Sequence, residues 1–261
     1  MVIFKKISLL LGILLYILMA LILKIILLPL TPSGYFRIIS CWTRIFSRFL
    51  RFFLKIRVII EGNRLSLNEK GNFIVSNHLG YLDGIILGSL FAIIYTSKSE
   101  VMQWPLFGWM SQAGETIFID RKRKFKSADY IQEVTEMLKR KVNVLVFAEG
   151  TSTDGEQSRP FQTIHFQPPL NAKSWILPLT ITYTKINAEE VNLKNRDKVC
   201  WYGQINFYQH LLEVLKLNSI EAKVVIHPKI DSAGFLNAGR SRKDLSEALH
   251  EIIARNYPLF K

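Results

Sequence analysis

Negative charge is scarce in this chain: 21 Asp and Glu stand against 34 Lys and Arg in 261 residues, leaving a formal net charge of +13. An acid-rich solvating protein is thereby excluded, and the expected partners are anionic. Cysteine is nearly absent, with Cys41 and Cys200 alone. Two such distant cysteines supply neither a disulfide framework nor a redox pair, so a reduced compartment is the default. The chain has no H-E-x-x-H stretch and no paired-cysteine spacing, so no metal is expected. A nucleic-acid binder of this charge would carry zinc-ligand spacing, an RNP-like stretch or a recognition helix; none is found, and no nucleic-acid partner is expected. Internal repeats and low-complexity linkers are missing as well, which excludes a solenoid or a spacer protein.

What the chain has in quantity is hydrophobic residues, 49% of the total and enough for a sizeable core. Part of that content sits at one end. Residues 7–23 carry no charge, and after Lys24 the apolar character resumes to Pro29. As a helix the uninterrupted part is about 26 Å long, slightly less than a ~30 Å hydrocarbon core. Lys5 and Lys6 precede it as in a signal peptide, yet its length and the lack of an A-x-A-like cleavage site favour a membrane anchor. Spanning and one-leaflet geometries both stay open, because Lys24 can snorkel and Pro29 can start a turn. Arg37, Arg44, Arg48, Arg51 and Lys55 then recur at steps of 7, 4, 3 and 4 among Ile38, Trp42, Ile45, Phe46, Phe49, Leu50, Phe52 and Phe53. That cationic stripe on an aromatic-rich helix suits the interface of an anionic leaflet; an ordinary solvated helix face is the alternative.

From residue 57 onward, short β-rich runs alternate with helical ones. Strands are expected at residues 58–61, 72–76, 92–96, 116–120, 143–148, 175–183, 198–202 and 222–227. The clearest helix is 241–257, with Ser241 and Asp244 in capping-box positions and Leu245, Leu249, Ile252 and Ile253 at helical spacing. A second helix covers 127–141. This alternation predicts an α/β layer fold with a largely buried sheet. Residues 1–56 then read as a membrane module and 57–261 as one domain of catalytic size.

Three polar or charged segments stand at strand ends, where α/β folds place ligands. Asn77-His78-Leu79-Gly80-Tyr81-Leu82-Asp83 follows one strand, Asp120-Arg121 ends another and runs into Lys122-Arg123-Lys124, and Glu149-Gly150-Thr151-Ser152 ends a third. Pro178 interrupts the apolar run 175–179. Singly, each has a bland reading: a core histidine, a solvated turn, a Gly-Thr turn with a cap, an edge strand or bulge. With five His and seven Asp, the His-x4-Asp spacing arises by chance about 0.13 times in such a chain, so spacing alone does not make a site. Three such groups at three strand ends are costly unless they converge on something. An imidazole with a carboxylate partner is able to take a proton from an alcohol near neutral pH.

In this order, and over residues 57–230, Asn77-His78-x4-Asp83, Gly114-x2-Ile117-Phe118-Ile119-Asp120-Arg121, Phe147-x-Glu149-Gly150-Thr151 and Leu177-Pro178-Leu179 resemble the four blocks of the glycerolipid acyltransferases. The likeness is strongest to the 1-acyl-sn-glycerol-3-phosphate (lysophosphatidic acid) acyltransferases. It implies an α/β fold with a mixed, largely buried sheet flanked by helices, and an N-terminal membrane helical module. It also implies transfer of a fatty acyl group from a thioester, acyl-CoA or acyl carrier protein, to the free hydroxyl of 1-acyl-glycerol-3-phosphate, giving phosphatidic acid without a cofactor. By resemblance His78 is the general base and Asp83 holds its tautomer. Asn77, Arg121, Glu149, Gly150 and Thr151 would shape the acceptor site, with Arg121 on a phosphate, Lys122 or Arg123 in support, and backbone N–H groups of the Gly-Thr turn open to an anion. The implied partners are anionic membrane lipids, a lysolipid acceptor and the acyl carrier. The implied location is a bacterial inner membrane with the active site on the cytoplasmic side.

Two departures qualify the resemblance. The family's third block commonly reads Phe-Pro-Glu-Gly-Thr-Arg, whereas Ala148 and Ser152 stand here for the proline and the arginine. Arg159 is placed to compensate from the next loop, or else the acceptor is another lysophospholipid or a lyso-ornithine lipid. A non-enzymatic alternative is a membrane-binding protein with an inactive domain; the intact His78/Asp83 pair argues against it.

Overall fold

A computed structural model of the chain describes residues 2–120, 126–257 and 260. The apolar N-terminal run forms α1 (Val2–Ile26), and the basic, aromatic segment forms α2 (Pro32–Phe53). Local chemistry starts α2: Thr31 accepts a hydrogen bond from the Gly34 N–H at the N-cap, and Pro32 takes the first helical position, where no N–H is needed. The remainder runs β1 (Ile56–Gly62), β2 (Phe73–Ser76), α3 (Tyr81–Leu90), β3 (Ile93–Lys98), α4 (Phe107–Ala113), β4 (Ile117–Ile119), α5 (Lys126–Lys139) and β5 (Asn143–Phe147). It continues with α6 (Gln167–Ala172), β6 (Trp175–Ile186), β7 (Glu189–Glu190), α7 (Phe207–Val214), β8 (Ile220–Ile226), β9 (Ile230–Asp231), α8 (Ser232–Asn237) and α9 (Arg242–Ala254).

The strands form one mixed sheet in the order β1-β8-β6-β2-β5-β3-β4, with β7 and β9 also on β6. β6, β2, β5, β3 and β4 run parallel; β8 is antiparallel to β6 and carries β1 parallel to itself. Alternate residues of the central strands face opposite layers. Ile74, Leu145 and Leu177 pack with Leu82, Ile86 and Leu87 of α3 and Val214 of α7. Phe73, Val75, Val144 and Ile176 pack with Tyr130 and Val134 of α5 and Leu245 and Leu249 of α9. The capping box expected at α9 is formed, with Ser241 and Asp244 bonding reciprocally.

One strand expectation is corrected. Residues 198–202 are not a strand but a helical turn, Arg196–Lys198, followed by a loop whose Trp201 N–H donates to the Leu79 carbonyl at 2.8 Å. Val199 and Cys200 are apolar because this loop turns them into the core, not because they join a ladder. Pro178, whose bland reading is an edge strand or bulge, lies within the expected strand, in central β6 opposite Val75. It falls where the partner on the other side of β6 changes from β8, paired from Leu179, to β9, paired at Ile176. The ladder is interrupted there, so a residue without an N–H is tolerated.

α1 lies along the α/β domain rather than projecting from it. At one end Lys5 donates to the carbonyls of Leu215 (2.8 Å) and Leu217 (3.2 Å); at the other Lys24 pairs with Glu115 at 2.6 Å. Between them Ile13, Tyr16 and Ala20 are buried against Phe46 and Leu50 of α2 and Ala113 of α4. The opposite face leaves Ile3, Phe4, Ile7, Leu11, Leu15, Leu18 and Ile25 exposed, and α2 adds Ile38, Ile45, Phe49 and Phe52.

Candidate active site

β2 ends at Ser76, and the next residues turn into α3 with Asp83 in its first turn. That turn brings a side chain four residues ahead back onto the strand end. Asp83 Oδ2 lies 2.8 Å from His78 Nδ1 and accepts the backbone N–H groups of Leu79 (2.6 Å) and Gly80 (2.9 Å). Its other oxygen accepts the Tyr183 hydroxyl of β6 at 2.5 Å. Asp83 has no exposed surface, and a buried carboxylate is tolerated because all four contacts donate to it. The Tyr183 phenol is pushed well above its usual range by burial and by the Asp83 charge, so it stays a donor.

A carboxylate accepts only, which assigns the His78 proton to Nδ1 and leaves Nε2 as a lone-pair acceptor. The ring is held a second way, stacked on Phe147 with centroids 3.9 Å apart and planes 11° from parallel. Its side chain is 20% exposed against 0% for Asp83, so the pair has one buried end and one open end.

The third expected block folds over the same place. The Thr153 N–H donates to the His78 carbonyl at 2.9 Å, and the Thr153 and Tyr257 hydroxyls pair behind it. Glu149 is buried, with one oxygen accepting from Ser158 at 3.3 Å and the other unpaired. Burial pushes its carboxyl up to about 8; the Asp83 charge adds to the rise, while Ser158 and Arg159 oppose it. Glu149 therefore holds a proton at neutral pH. Arg159 is exposed, and its charge reaches Glu149. Thr151 is half-buried on the same turn, and Gly150 takes a left-handed φ of 74°, which favours glycine.

Two expectations about this site are corrected. Asn77 does not face an acceptor: it is fully buried, its amide donating to the Ile181 carbonyl at 3.0 Å and accepting the Ile181 N–H at 2.8 Å. It bolts the turn to β6 and positions the neighbouring His78. The Gly150 N–H is not open to an anion either, because it donates to the Phe147 carbonyl at 3.0 Å to close the turn. Arg121, Lys122 and Arg123 lie outside the described residues.

Other parts of the site have no sequence signal near the motif. Tyr183 and Ile181 reach it from about a hundred residues away. Gly80 admits the 196–202 loop, since a Cβ there would lie 2.8 Å from the Trp201 N atom. Tyr81, Trp104, Phe107, Trp201 and Phe207 then form an aromatic wall around the start of α3. Cys200, beneath it, is no nucleophile: burial and the Asp83 charge push its thiol well up.

A helix pair packed against α3 and α4 and a mixed sheet with a histidine–carboxylate pair open at a parallel strand end make up an α/β site able to deprotonate an alcohol. The same architecture is found in the crystal structure of the 1-acyl-sn-glycerophosphate acyltransferase PlsC from Thermotoga maritima, with a TM-score of 0.62 over 97% of this chain and 95% of that one at 20% identity, a likeness of fold. Residues 57–182 match the family model described as Acyltransferase. A lyso-ornithine lipid O-acyltransferase of Rhodobacter capsulatus is 34% identical over 204 residues, 74% of this chain and 70% of that protein. Its counterpart in Pseudomonas aeruginosa is 37% identical over 169 residues, 65% and 63%. A 1-acyl-sn-glycerol-3-phosphate acyltransferase of Neisseria meningitidis is 28% identical over 116 residues, 44% and 46%. The chain belongs to the acyltransferase family of lipid-synthesis enzymes and is an acyltransferase.

Proposed function

We propose that the chain transfers an acyl group from a thioester to the free hydroxyl of a lysolipid, with His78 as the general base. The observation that carries this is His78 itself: Nδ1 tied to a fully buried Asp83, the ring stacked on Phe147, and the opposite edge open. The acceptor hydroxyl gives its proton to Nε2 as its oxygen bonds to the thioester carbon. Collapse of the tetrahedral intermediate breaks the carbon–sulfur bond, and the imidazolium returns the proton to the departing sulfur. Asp83 stays ionised and stabilises the imidazolium; Tyr183 and the Leu79 and Gly80 N–H groups position it. Positioned deprotonation of this kind contributes roughly 10²- to 10⁴-fold. No covalent enzyme intermediate, cofactor or metal enters the scheme; the donor is acyl-CoA or acyl carrier protein.

For the acceptor, the lyso-ornithine lipid reading is favoured by Ser152, which is buried and uncharged where a phosphate-binding arginine was expected, and by the names of the relatives matched over most of their length. The lysophosphatidate reading, with phosphatidic acid as product, rests on the exposed Arg159 beside Glu149. We further propose that α1 enters one leaflet: both its ends are tied to the same domain, so a helix of about 37 Å lies along the domain with its apolar face outward. Carrier supply puts the site on the cytoplasmic side of a bacterial inner membrane.

Purified protein, acyl-CoA and each lysolipid in turn should release free thiol, and His78→Ala should lower the rate 10²- to 10⁴-fold. Retention of most activity by that variant refutes the base; turnover of lysophosphatidate but not lyso-ornithine lipid refutes the favoured acceptor.

A further inference from the structure

Asp83 and Ser89 stand at opposite ends of α3, and the end away from the reaction centre carries a second concentration of charge. Arg44, Arg48 and Arg51 project from one face of α2 at spacings of four and three residues. With Leu67, Ser89 and Leu90 they line a groove of about 430 Å³. Arg48 Nε donates to the Ser89 carbonyl at 3.2 Å, and an Arg51 Nη donates to the Ser89 hydroxyl at 3.3 Å. Among the described residues no carboxylate pairs with any of the three arginines. Most of their N–H donors are left over.

Stabilisation of the α3 C-terminus accounts for part of this, since helix carbonyl ends attract cations. It does not account for Arg44, whose Nε is buried without a partner. Burial and the neighbouring charge of Arg48 both hold Arg44 and Arg51 below the usual guanidinium range. Three like charges gathered without an acid repel one another unless an anion completes the set. Guanidinium forks match the oxygens of a phosphate group. The groove also borders apolar surface: Ile45, Phe49 and Phe52 are exposed on the same helix and Leu65 on the segment that carries Leu67. A ligand seated there would have a phosphate among the arginines and hydrocarbon beside the rings.

We propose that Arg44, Arg48 and Arg51, with Ser89, form a binding site for the phosphate diester of an anionic phospholipid headgroup, separate from the reaction centre. It seats the enzyme on an anionic leaflet and ties the occupied headgroup to the helix that carries Asp83. The proposal is independent of which lysolipid is acylated.

The test is co-sedimentation of the full chain with vesicles of phosphatidylcholine alone or with equal parts phosphatidylglycerol, without acyl transfer as a readout. The Arg44→Gln/Arg48→Gln/Arg51→Gln variant should bind the anionic vesicles roughly 100-fold more weakly, from about fivefold for each arginine lost at a membrane surface. Arg240→Gln/Arg242→Gln/Lys243→Gln removes the same net charge elsewhere and should change binding by less than about threefold. The corresponding triple Arg→Lys variant keeps fold and charge and should still lose about tenfold, because lysine does not fork a phosphate. Equal loss in both charge-removing variants, or full retention in the lysine variant, reduces the feature to general attraction and overturns the site. Displacement of the wild-type protein from anionic vesicles by millimolar CoA or inorganic phosphate assigns the arginines to a soluble phosphate and overturns the lipid assignment.

Discussion

Glu149→Gln is the most informative single substitution, because it removes a titration without removing the shape. The carboxyl is buried, one oxygen has no partner, and its proton is held up to about 8 instead of the usual 4.5. Below about pH 4.5 the folded and unfolded chains both carry the proton, and the group contributes no pH dependence. Between about 4.5 and 8 the unfolded chain has released it while the folded chain retains it, so stability falls as pH rises; above 8 the loss is complete. The interval corresponds to a ceiling of about 5 kcal/mol, at about 1.4 kcal/mol for each tenfold change in proton affinity. Two buried histidines act in the opposite direction: His210 and His227 are held below their usual 6.5 by burial, so they favour the folded state as pH rises toward neutrality. Subtracting the variant from the wild type cancels them. Denaturant unfolding in detergent micelles should show a difference, wild type minus Glu149→Gln, that slopes downward from about pH 5 to 8 by a few kcal/mol and then levels. A flat or rising difference refutes a neutral carboxyl beside Asp83. Acyl transfer adds a second reading: wild-type activity should decline above about pH 8, where Glu149 ionises next to Asp83, and the variant should lack that limb.

Three further substitutions test how the base is positioned. Tyr183→Phe removes the buried hydroxyl donor to Asp83 and, at roughly 1.5–3 kcal/mol for a bond to a charged group, should lower kcat by about 10- to 150-fold. KM for donor and acceptor should stay unchanged, and a change confined to KM contradicts a positioning role. Asn77→Ala leaves the Ile181 N–H and carbonyl unpaired at zero exposure, and unfolding should cost about 1–3 kcal/mol less for each unpaired group; unchanged denaturant midpoints would count against it. Gly80→Ala sets a Cβ 2.8 Å from the Trp201 N atom, so the 196–202 loop must shift, seen as a changed near-ultraviolet aromatic signal and a lower melting temperature.

Legibility in the sequence tracked the length of chain each interaction spans. The His78/Asp83 pair lies within a single strand-to-helix turn, where four residues suffice to bring the carboxylate back to the ring, and so its spacing was readable directly. The capping box at Ser241 and Asp244 is equally local. Apolar runs such as residues 73–76 and 143–147 announced buried strands because parallel strands in a layered fold are covered on both faces. Residues 198–202 differ for the same reason reversed: a loop whose side chains are buried in the core carries the apolar signature of a strand without a ladder partner.

The chemistry of this acyltransferase is thus written in short stretches: an imidazole beside an acid, an apolar helix, a Glu-Gly-Thr turn. Their order carried a resemblance to the glycerolipid acyltransferases, and that resemblance named the reaction class. What they did not contain is who holds what. Tyr183 on Asp83, Ile181 on Asn77, the proton retained by Glu149, the docking of both ends of α1 and the gathering of three arginines around Ser89 all depend on partners tens to hundreds of residues apart. Hydrogen bonding and desolvation act over a few ångströms of space, and only the folded sheet converts those sequence distances into contact.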